Sequence, residues 1–236
     1  MDKLREILLA EGVEAEAVHK MEEYAKIILE TNKTMNLTRI TEPAEMAHKH
    51  FLDSLAPARL GLLPERGAVL DVGSGAGFPG IPLAILRPEL EWTLLDAQRK
   101  KVDFITMCVD RLGITNVRAL QGRAEELSRT QDFHGKFDIV ASRAVASLSV
   151  LLELCTGFCR LGGKFLAYKG AETQAETEEA GEAAKALGMR LLGIYDAAVA
   201  GQSHWIVAYE KIKEAPAKYP RAFAKIKAAP IGLRKK

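Results

Sequence analysis

Residues 68–80 read AVLDVGSGAGFPG, an apolar run that breaks abruptly into glycine. Val69, Leu70 and Val72 surround Asp71 in a segment short enough for one buried strand, and Gly73, Gly75 and Gly77 follow at alternate positions. An apolar strand running into a glycine turn is how open α/β sheets receive nucleotide-like ligands. Glycine accepts positive φ and lets a ligand approach the backbone where a Cβ would stand. The turn predicts a ligand; the segments around it decide which.

Downstream, short apolar strands alternate with helices. The pattern predicts strands at 68–72, 92–96, 116–120, 137–141, 164–168, 190–195 and 204–210, with helices near 79–87, 98–112, 124–129, 147–160 and 172–187. Gly113 and Gly188 fall where helix C-caps are wanted. Such alternation predicts a parallel sheet with helices on both faces. No hairpin turn joins the last two strands, and the link 196–203 is rich in alanine and glycine. Upstream, Leu4, Ile7 and Leu8 make a stripe that Gly12 ends, and Val18, Met21, Tyr24 and Ile28 recur at helical spacing. The polar run 32–38 interrupts that helix. A third is expected from Thr41-Glu42-Pro43, with a hydroxyl cap and an early proline, carrying Met46, His50, Phe51 and Leu55 on one side. The expected organisation is a helical extension over 1–63, an α/β domain over 64–212 and a basic tail over 213–236.

Composition narrows the class. The chain has 236 residues, 48% of them hydrophobic, enough for a sizeable core. It lacks the run of roughly 18 apolar residues that spans a bilayer, and its mixed-charge start is no signal peptide. A cytoplasmic protein without membrane association is expected. Cys108, Cys155 and Cys159 are read as reduced core thiols, and no metal site is expected, because the 155/159 pair lacks further ligands. Residues 211–236 hold seven lysines and two arginines against one glutamate, a net +8, leaving −6 on the preceding 210 residues of a chain whose total is +2. A basic tail on a mildly acidic body suits a phosphate backbone or an anionic surface, or serves solubility alone.

Two ligands compete for the turn. Gly75-Ala76-Gly77-Phe78-Pro79-Gly80 matches G-x-G-x-x-G and Asp96 lies about 20 residues on, as in a dinucleotide fold. Register argues the other way. The first strand ends directly before Gly73, and counted from there Phe78 occupies the place of the third small residue, where its bulk obstructs a pyrophosphate. S-adenosylmethionine carries no phosphate and is favoured. Asp96, ending the second strand, can accept ribose hydroxyls and cap the next helix as well. Ala124-Glu125 follows the third strand, where an adenine rim is built, although Glu125 also suits a helix first turn. Arg143 ends the fourth strand, in reach of a cofactor carboxylate or an RNA phosphate. No Asn/Asp-Pro-Pro-aromatic motif and no Pro-Cys or Thr-Cys nucleophile stands there. An acceptor with a free lone pair, such as guanine N7, needs neither, since positioning and desolvation supply the rate.

The segment 71–84, DVGSGAGFPGIPLA, strongly resembles the bacterial small-subunit ribosomal RNA guanine-N7 methyltransferases, also called glucose-inhibited division protein B. Asn36-Leu37-Thr38, His50-x-x-Asp53-Ser54-Leu55, Leu94-Leu95-Asp96 with Lys100-Lys101, Arg123-Ala124-Glu125, Ser142-Arg143-Ala144 and Lys169-Gly170 extend the likeness in order along the chain. Thr31-Asn32 departs from the usual Trp-Asn, which weakens the case for a stacking aromatic there. The resemblance implies a class I S-adenosylmethionine-dependent methyltransferase, Rossmann-like, with a seven-stranded mostly parallel sheet and an N-terminal helical extension. It implies methyl transfer to N7 of a guanine in 16S ribosomal RNA, as naked RNA or small subunit, by a monomer. By position, Gly73, Gly75, Gly77, Phe78, Ala124, Glu125 and Arg143 hold the cofactor, with Asp96 added for the ribose. Asn36, His50, Asp53, Ser54 and Arg143 become catalytic candidates; equally, His50 and Asp53 form a polar pair fastening a helix to the sheet. Lys33, Arg39, Lys100, Lys101, Arg123, Lys169 and the tail from residue 218, Arg221 included, are expected on RNA, the tail standing apart from the cofactor site. An NAD-dependent oxidoreductase and a non-catalytic RNA-binding ribosome assembly factor are the alternatives.

Overall fold

The computed structural model describes residues 1–197, 199 and 203–233. Seven strands, β1 (Gly67–Val72), β2 (Leu90–Asp96), β3 (Val117–Gln121), β4 (Phe137–Arg143), β5 (Cys159–Lys169), β6 (Met189–Asp196) and β7 (Trp205–Lys211), form one sheet in the order β3-β2-β1-β4-β5-β7-β6. The first five run parallel; β7 is antiparallel to both β5 and β6. The mostly parallel sheet is therefore present, and the wholly parallel one read from strand–helix alternation is not. The chain moves outward from β1 to β3 and then returns to place β4 on β1's other side. The crevice between β1 and β4 is thus the topological switch point, where open α/β sheets bind ligands.

Helices α1 (Asp2–Ala10) and α2 (Ala15–Met35) precede a continuous helical stretch of α3 (Pro43–Met46), a π-helical turn (Ala47–Leu52) and α4 (Asp53–Arg59). The expected break at residue 32 is absent: α2 runs on to Met35 and stops where Asn36 turns left-handed at φ +48°. The cap of α3 is the Glu42 carboxylate, which accepts from the Glu45 N–H at 2.8 Å, in place of the Thr41 hydroxyl. Between strands lie α5 (Gly80–Leu86), α6 (Arg99–Leu112), α7 (Ala124–Leu127), α8 (Leu148–Cys155), α9 (Thr173–Glu179) and α10 (Gly181–Leu187), so the single helix expected over 172–187 is two. The 196–203 link falls partly outside the described residues.

Strand alternation divides the core. Val69, Leu94, Ile139 and Leu166 face the helical extension together with α5 and α6, while Leu70, Leu95, Val140 and Phe165 pack on α8 and α10. The extension is fastened by rings: Tyr24 meets Phe51 edge-on at 6.1 Å and lies 5.3 Å from Phe78, and its hydroxyl donates to the Ala76 carbonyl inside the glycine turn. Each such aromatic pair contributes about 0.5–1.5 kcal/mol beyond its buried area.

The C-terminal segment is packed rather than appended. Ile226 in α11 (Phe223–Ala228) is fully buried against the α8 side of the core. Arg221 donates from its backbone N–H and Nε to Glu153 Oε1, both at 2.8 Å, and from Nη2 to Oε2 at 2.6 Å. Arg129 holds the Pro220 carbonyl from Nη2 at 2.7 Å. Arg221, expected on RNA, is thus committed to the fold. Residues 234–236 of the expected tail lie outside the described residues. Because the Glu153 side chain is fully buried, Arg221→Ala would strand its charge. A loss of about 3 kcal/mol is expected, read as a lower urea midpoint with an unchanged slope.

Candidate active site

The glycine turn is pre-set by its neighbours. Gly73 and Ser74 donate to the Leu95 carbonyl at 2.8 and 3.1 Å, and Gly75 donates to Asp96 Oδ2 at 2.9 Å. Asp96 Oδ1 accepts from Gln98 at 2.8 Å. The carboxylate therefore fixes Gln98, the residue before α6, and shapes the turn while each oxygen keeps a further lone pair. Gly73 holds φ +77°, and a Cβ there would lie 2.5 Å from Val145 Cγ2. Gly77, at φ +93°, faces the other way: a Cβ would meet the Tyr24 hydroxyl and Ile81 Cδ1 at 2.6 Å. Gly73 shapes the side of the turn that Val145 covers, and Gly77 admits the helical extension.

Two cavities meet at residues 143–145: Val145 lines the first, while Arg143, expected on the cofactor, lines the second and not the first. The first, about 160 Å³, opens along the carboxyl ends of β1–β3 and is lined by Gly73, Asp96, Ala124, Glu125, Val145 and Phe223 among others. Its walls are mainly apolar and its charges few: Asp96, Glu125 and an Arg123 that lies 3.9 Å from Glu125. Two carboxylates in an apolar cleft suit ribose and adenine and oppose a pyrophosphate. The second cavity, about 500 Å³, is lined by His50, Asp53, Arg143, Tyr168, Lys169 and His204, with Lys49 and Ala144 at its wall. Ala144, left-handed at φ +57°, bends the chain between them, a strained conformation of the kind that collects at functional sites.

Arg143 is the hub of the second cavity. Its Nη1 donates to Asp53 Oδ2 at 2.7 Å and to the Lys49 carbonyl at 3.2 Å, and its guanidinium lies 5.3 Å from the centre of the Phe78 ring. His50 stacks on that ring at 4.6 Å, with Nδ1 3.4 Å from Arg143 Nη2 and Nε2 2.8 Å from Thr38 Oγ1. An arginine can only donate, so Nδ1 accepts and the His50 proton sits on Nε2. Burial, then the Arg143 charge, pushes His50 down to about 4, so it is neutral at pH 7. Asp53 Oδ1 takes His204 Nδ1 at 2.8 Å. Beneath the turn, Asp71 is fully buried with Gly80 donating to Oδ2 at 3.1 Å and Oδ1 unpartnered; burial raises it to about 7.

The structure sorts the residues expected from sequence. Gly73, Asp96, Ala124 and Glu125 share the first cavity, and Gly75 shapes its rim. Phe78, 6% exposed, is packed among Tyr24, Phe51 and His50 and carries Arg143 on its face, so its ring supports the site from below. His50, Asp53 and Arg143 converge in the second cavity. Asn36 and Ser54 do not line it: Asn36 is an exposed left-handed cap, and the buried Ser54 hydroxyl donates to the His50 carbonyl within its own helix. Lys169 is drawn into the fold, its amine holding the Ala146 carbonyl at 2.8 Å and Glu176 at 2.9 Å. Lys33, Arg39, Lys100 and Arg123 are exposed, and Lys101 is partly so. His204, Tyr168, Val145, Phe223 and Asn32 were not singled out as site residues by sequence. Asn32 clamps Thr38 through both amide atoms at 2.9 Å, which sets Thr38 against His50.

A glycine turn at the switch point, an acid at the end of β2 and a second cavity across Arg143 define a class I S-adenosylmethionine-dependent methyltransferase. The same fold occurs in a SAM-dependent methyltransferase from Aquifex aeolicus, at TM-score 0.54 and 17% identity over 72% of this chain and 94% of that one. Within the class, the chain belongs to the rRNA small subunit methyltransferase G (GidB) family, whose model matches residues 17–204. It is 41% identical to the ribosomal RNA small subunit methyltransferase G of Desulforamulus reducens, over 85% of this chain and 84% of that protein. The counterpart in Lachnoclostridium phytofermentans is 41% identical over 92% of both.

Asp71 and His50 give stability opposite pH dependences. Asp71, raised from 3.8, favours its protonated form in the fold, so its contribution is present below pH 4 and lost as pH rises towards 7. His50, lowered from 6.5, contributes above pH 6.5 and loses that contribution as pH falls towards 4. Asp71→Asn, which keeps an acceptor for Gly80, is expected to gain stability relative to the parent between pH 5 and 7. Urea midpoints across that range test it; parallel profiles for the two proteins would contradict the burial argument.

Proposed function

We propose that this protein transfers the methyl group of S-adenosylmethionine to N7 of a guanine in 16S ribosomal RNA, acting as a cytoplasmic monomer on RNA or the small subunit. The observation that carries the choice of acceptor is membership of the rRNA small subunit methyltransferase G family, and most titratable groups of the second cavity are already engaged. Asp53 is paired through both oxygens, His50 is neutral with a depressed basicity and both nitrogens engaged, and Lys169 is held by Glu176. An amine or carbon acceptor must lose a proton to a base. A ring nitrogen with a free lone pair must only be aligned and desolvated.

When bound, the donor supplies an electrophilic methyl on a sulfonium. The chain's residues supply placement. Gly73 admits the ligand to the backbone, Asp96 offers spare lone pairs to ribose hydroxyls, and Glu125 with Ala124 borders the adenine side. Arg143 and His50, braced on Phe78, form the wall facing the acceptor cavity. Methylated N7 leaves the base cationic, which a bare guanidinium would oppose. Asp53 neutralises Arg143 at 2.7 Å, so the wall presents an ion pair instead of a lone charge. Lys33, Arg39, Lys100, Lys101 and Arg123 are the proposed phosphate contacts.

Incubation with undermethylated 16S RNA or small subunits and labelled donor, followed by chain cleavage at 7-methylguanine, tests the reading. Gly73→Asp is expected to fold yet lose detectable methylation, since its side chain would enter the space Val145 closes. Methylation at an exocyclic amine or a carbon would overturn the acceptor. Replacing Lys33, Arg39 and Arg123 singly by alanine is expected to weaken RNA binding about equally across sequences and to reduce the logarithmic salt slope by about 1 each. Filter binding at several salt concentrations reads both.

A further inference from the structure

The segment after β7 has a course that a solubilising or RNA-binding tail does not require. It leaves the sheet at Lys211, whose fully buried amine donates to the Cys159 carbonyl at 3.0 Å and pairs with Glu214 at 2.8 Å. It then crosses α8 under the Arg129 contacts and the Arg221–Glu153 fork. Two residues beyond Arg221, Phe223 opens α11 and joins Val72, Val145 and Leu154 in the wall of the first cavity. Three residues further, Ile226 is fully buried.

Phe223 is therefore held from both sides. The preceding ion pair uses a carboxylate that is completely shielded from water, and the following isoleucine is locked in the core. A partly exposed phenylalanine kept so firmly in place would gain more by burial, and α11 leaves it at the cleft instead. It is also the one aromatic ring among the described residues lining that cavity, which it shares with Asp96, Ala124 and Glu125. An apolar ring and two carboxylates in one cavity match a nucleoside: the base takes the ring, and the ribose hydroxyls take the acid.

We propose that Phe223 is a cofactor-binding residue contacting the adenosine moiety, and that the C-terminal segment is a structural wall of the cofactor cleft. The inference rests on the first cavity's being the cofactor site. It reverses the expectation that the tail from residue 218 stands apart from that site.

Calorimetry of the full-length protein with S-adenosylhomocysteine and with 5′-methylthioadenosine, which keeps adenosine but lacks the amino-acid moiety, tests it. Phe223→Ala is expected to weaken both ligands by about tenfold; Phe223→Leu, which keeps apolar cover without the ring, is expected to weaken them less. The unliganded melting temperature, measured beside each, separates a lost contact from a lost fold. Should the alanine variant not fold, the leucine variant carries the test. Parent-like affinity for S-adenosylhomocysteine in a folded Phe223→Ala protein would overturn the proposal. So would a loss confined to S-adenosylhomocysteine and absent for 5′-methylthioadenosine. Gly73→Asp locates the failure: if it abolishes binding while Phe223→Ala does not, Phe223 alone is misassigned. If Gly73→Asp also binds normally, the cavity is not the cofactor site.

Discussion

The ion pair between Arg143 and Asp53 joins the two parts of the molecule at the one place where chemistry needs them joined. Asp53 belongs to the helical extension, Arg143 to the carboxyl end of β4, and the side chains are 4% and 14% exposed. A pair so poorly solvated is weak evidence for stability, because removing two charges from water offsets most of their attraction. Its worth lies in geometry. With His204 on the other Asp53 oxygen, His50 beside the guanidinium and Phe78 beneath, Arg143 has little rotational freedom left. Fixed dipoles and charges are what a reaction without proton transfer can use.

The glycine turn depends on the same junction. Phe78 lies five residues past Gly73 and is simultaneously the platform for His50 and Arg143 and the contact for Tyr24 and Phe51. The extension therefore does more than cover the sheet. By pressing on Gly77 and Phe78 it holds the turn from the side opposite the first cavity, while Asp96 and the Leu95 carbonyl hold it from the other. A displacement of α2 would be felt in both cavities.

What the sequence made legible follows interaction range. Strand β1, the turn and Asp96 lie within about thirty residues, and their chemistry is encoded in glycine spacing and apolar runs. Even there, Gly77 and Phe78 read as ligand contacts, and nothing in the motif announces that both pack against the helical extension. Asp53 and His204 are 151 residues apart and Glu153 and Arg221 are 68 apart. Nothing local marks such pairs, since each is created by the sheet order. Nor does composition mark which basic residues are paired: Lys169 and Arg221, read as phosphate contacts among others of their kind, each have a carboxylate partner in the fold.

That pairing bears on how charge is distributed around the second cavity. Arg143 and Lys169 in the second cavity are each neutralised by a partner within 3 Å, while Lys33, Arg39 and Lys100 are exposed with no carboxylate so close among the described residues. Exposed charges act over a Debye length of about 8–10 Å and can gather an RNA backbone without distinguishing its bases. Paired charges at the cavity wall add little to that pull and hold shape instead. Separating the two lets the surface draw in a polyanion while the cavity stays close to electrically neutral. That neutrality is what a base about to acquire positive charge at its ring nitrogen requires.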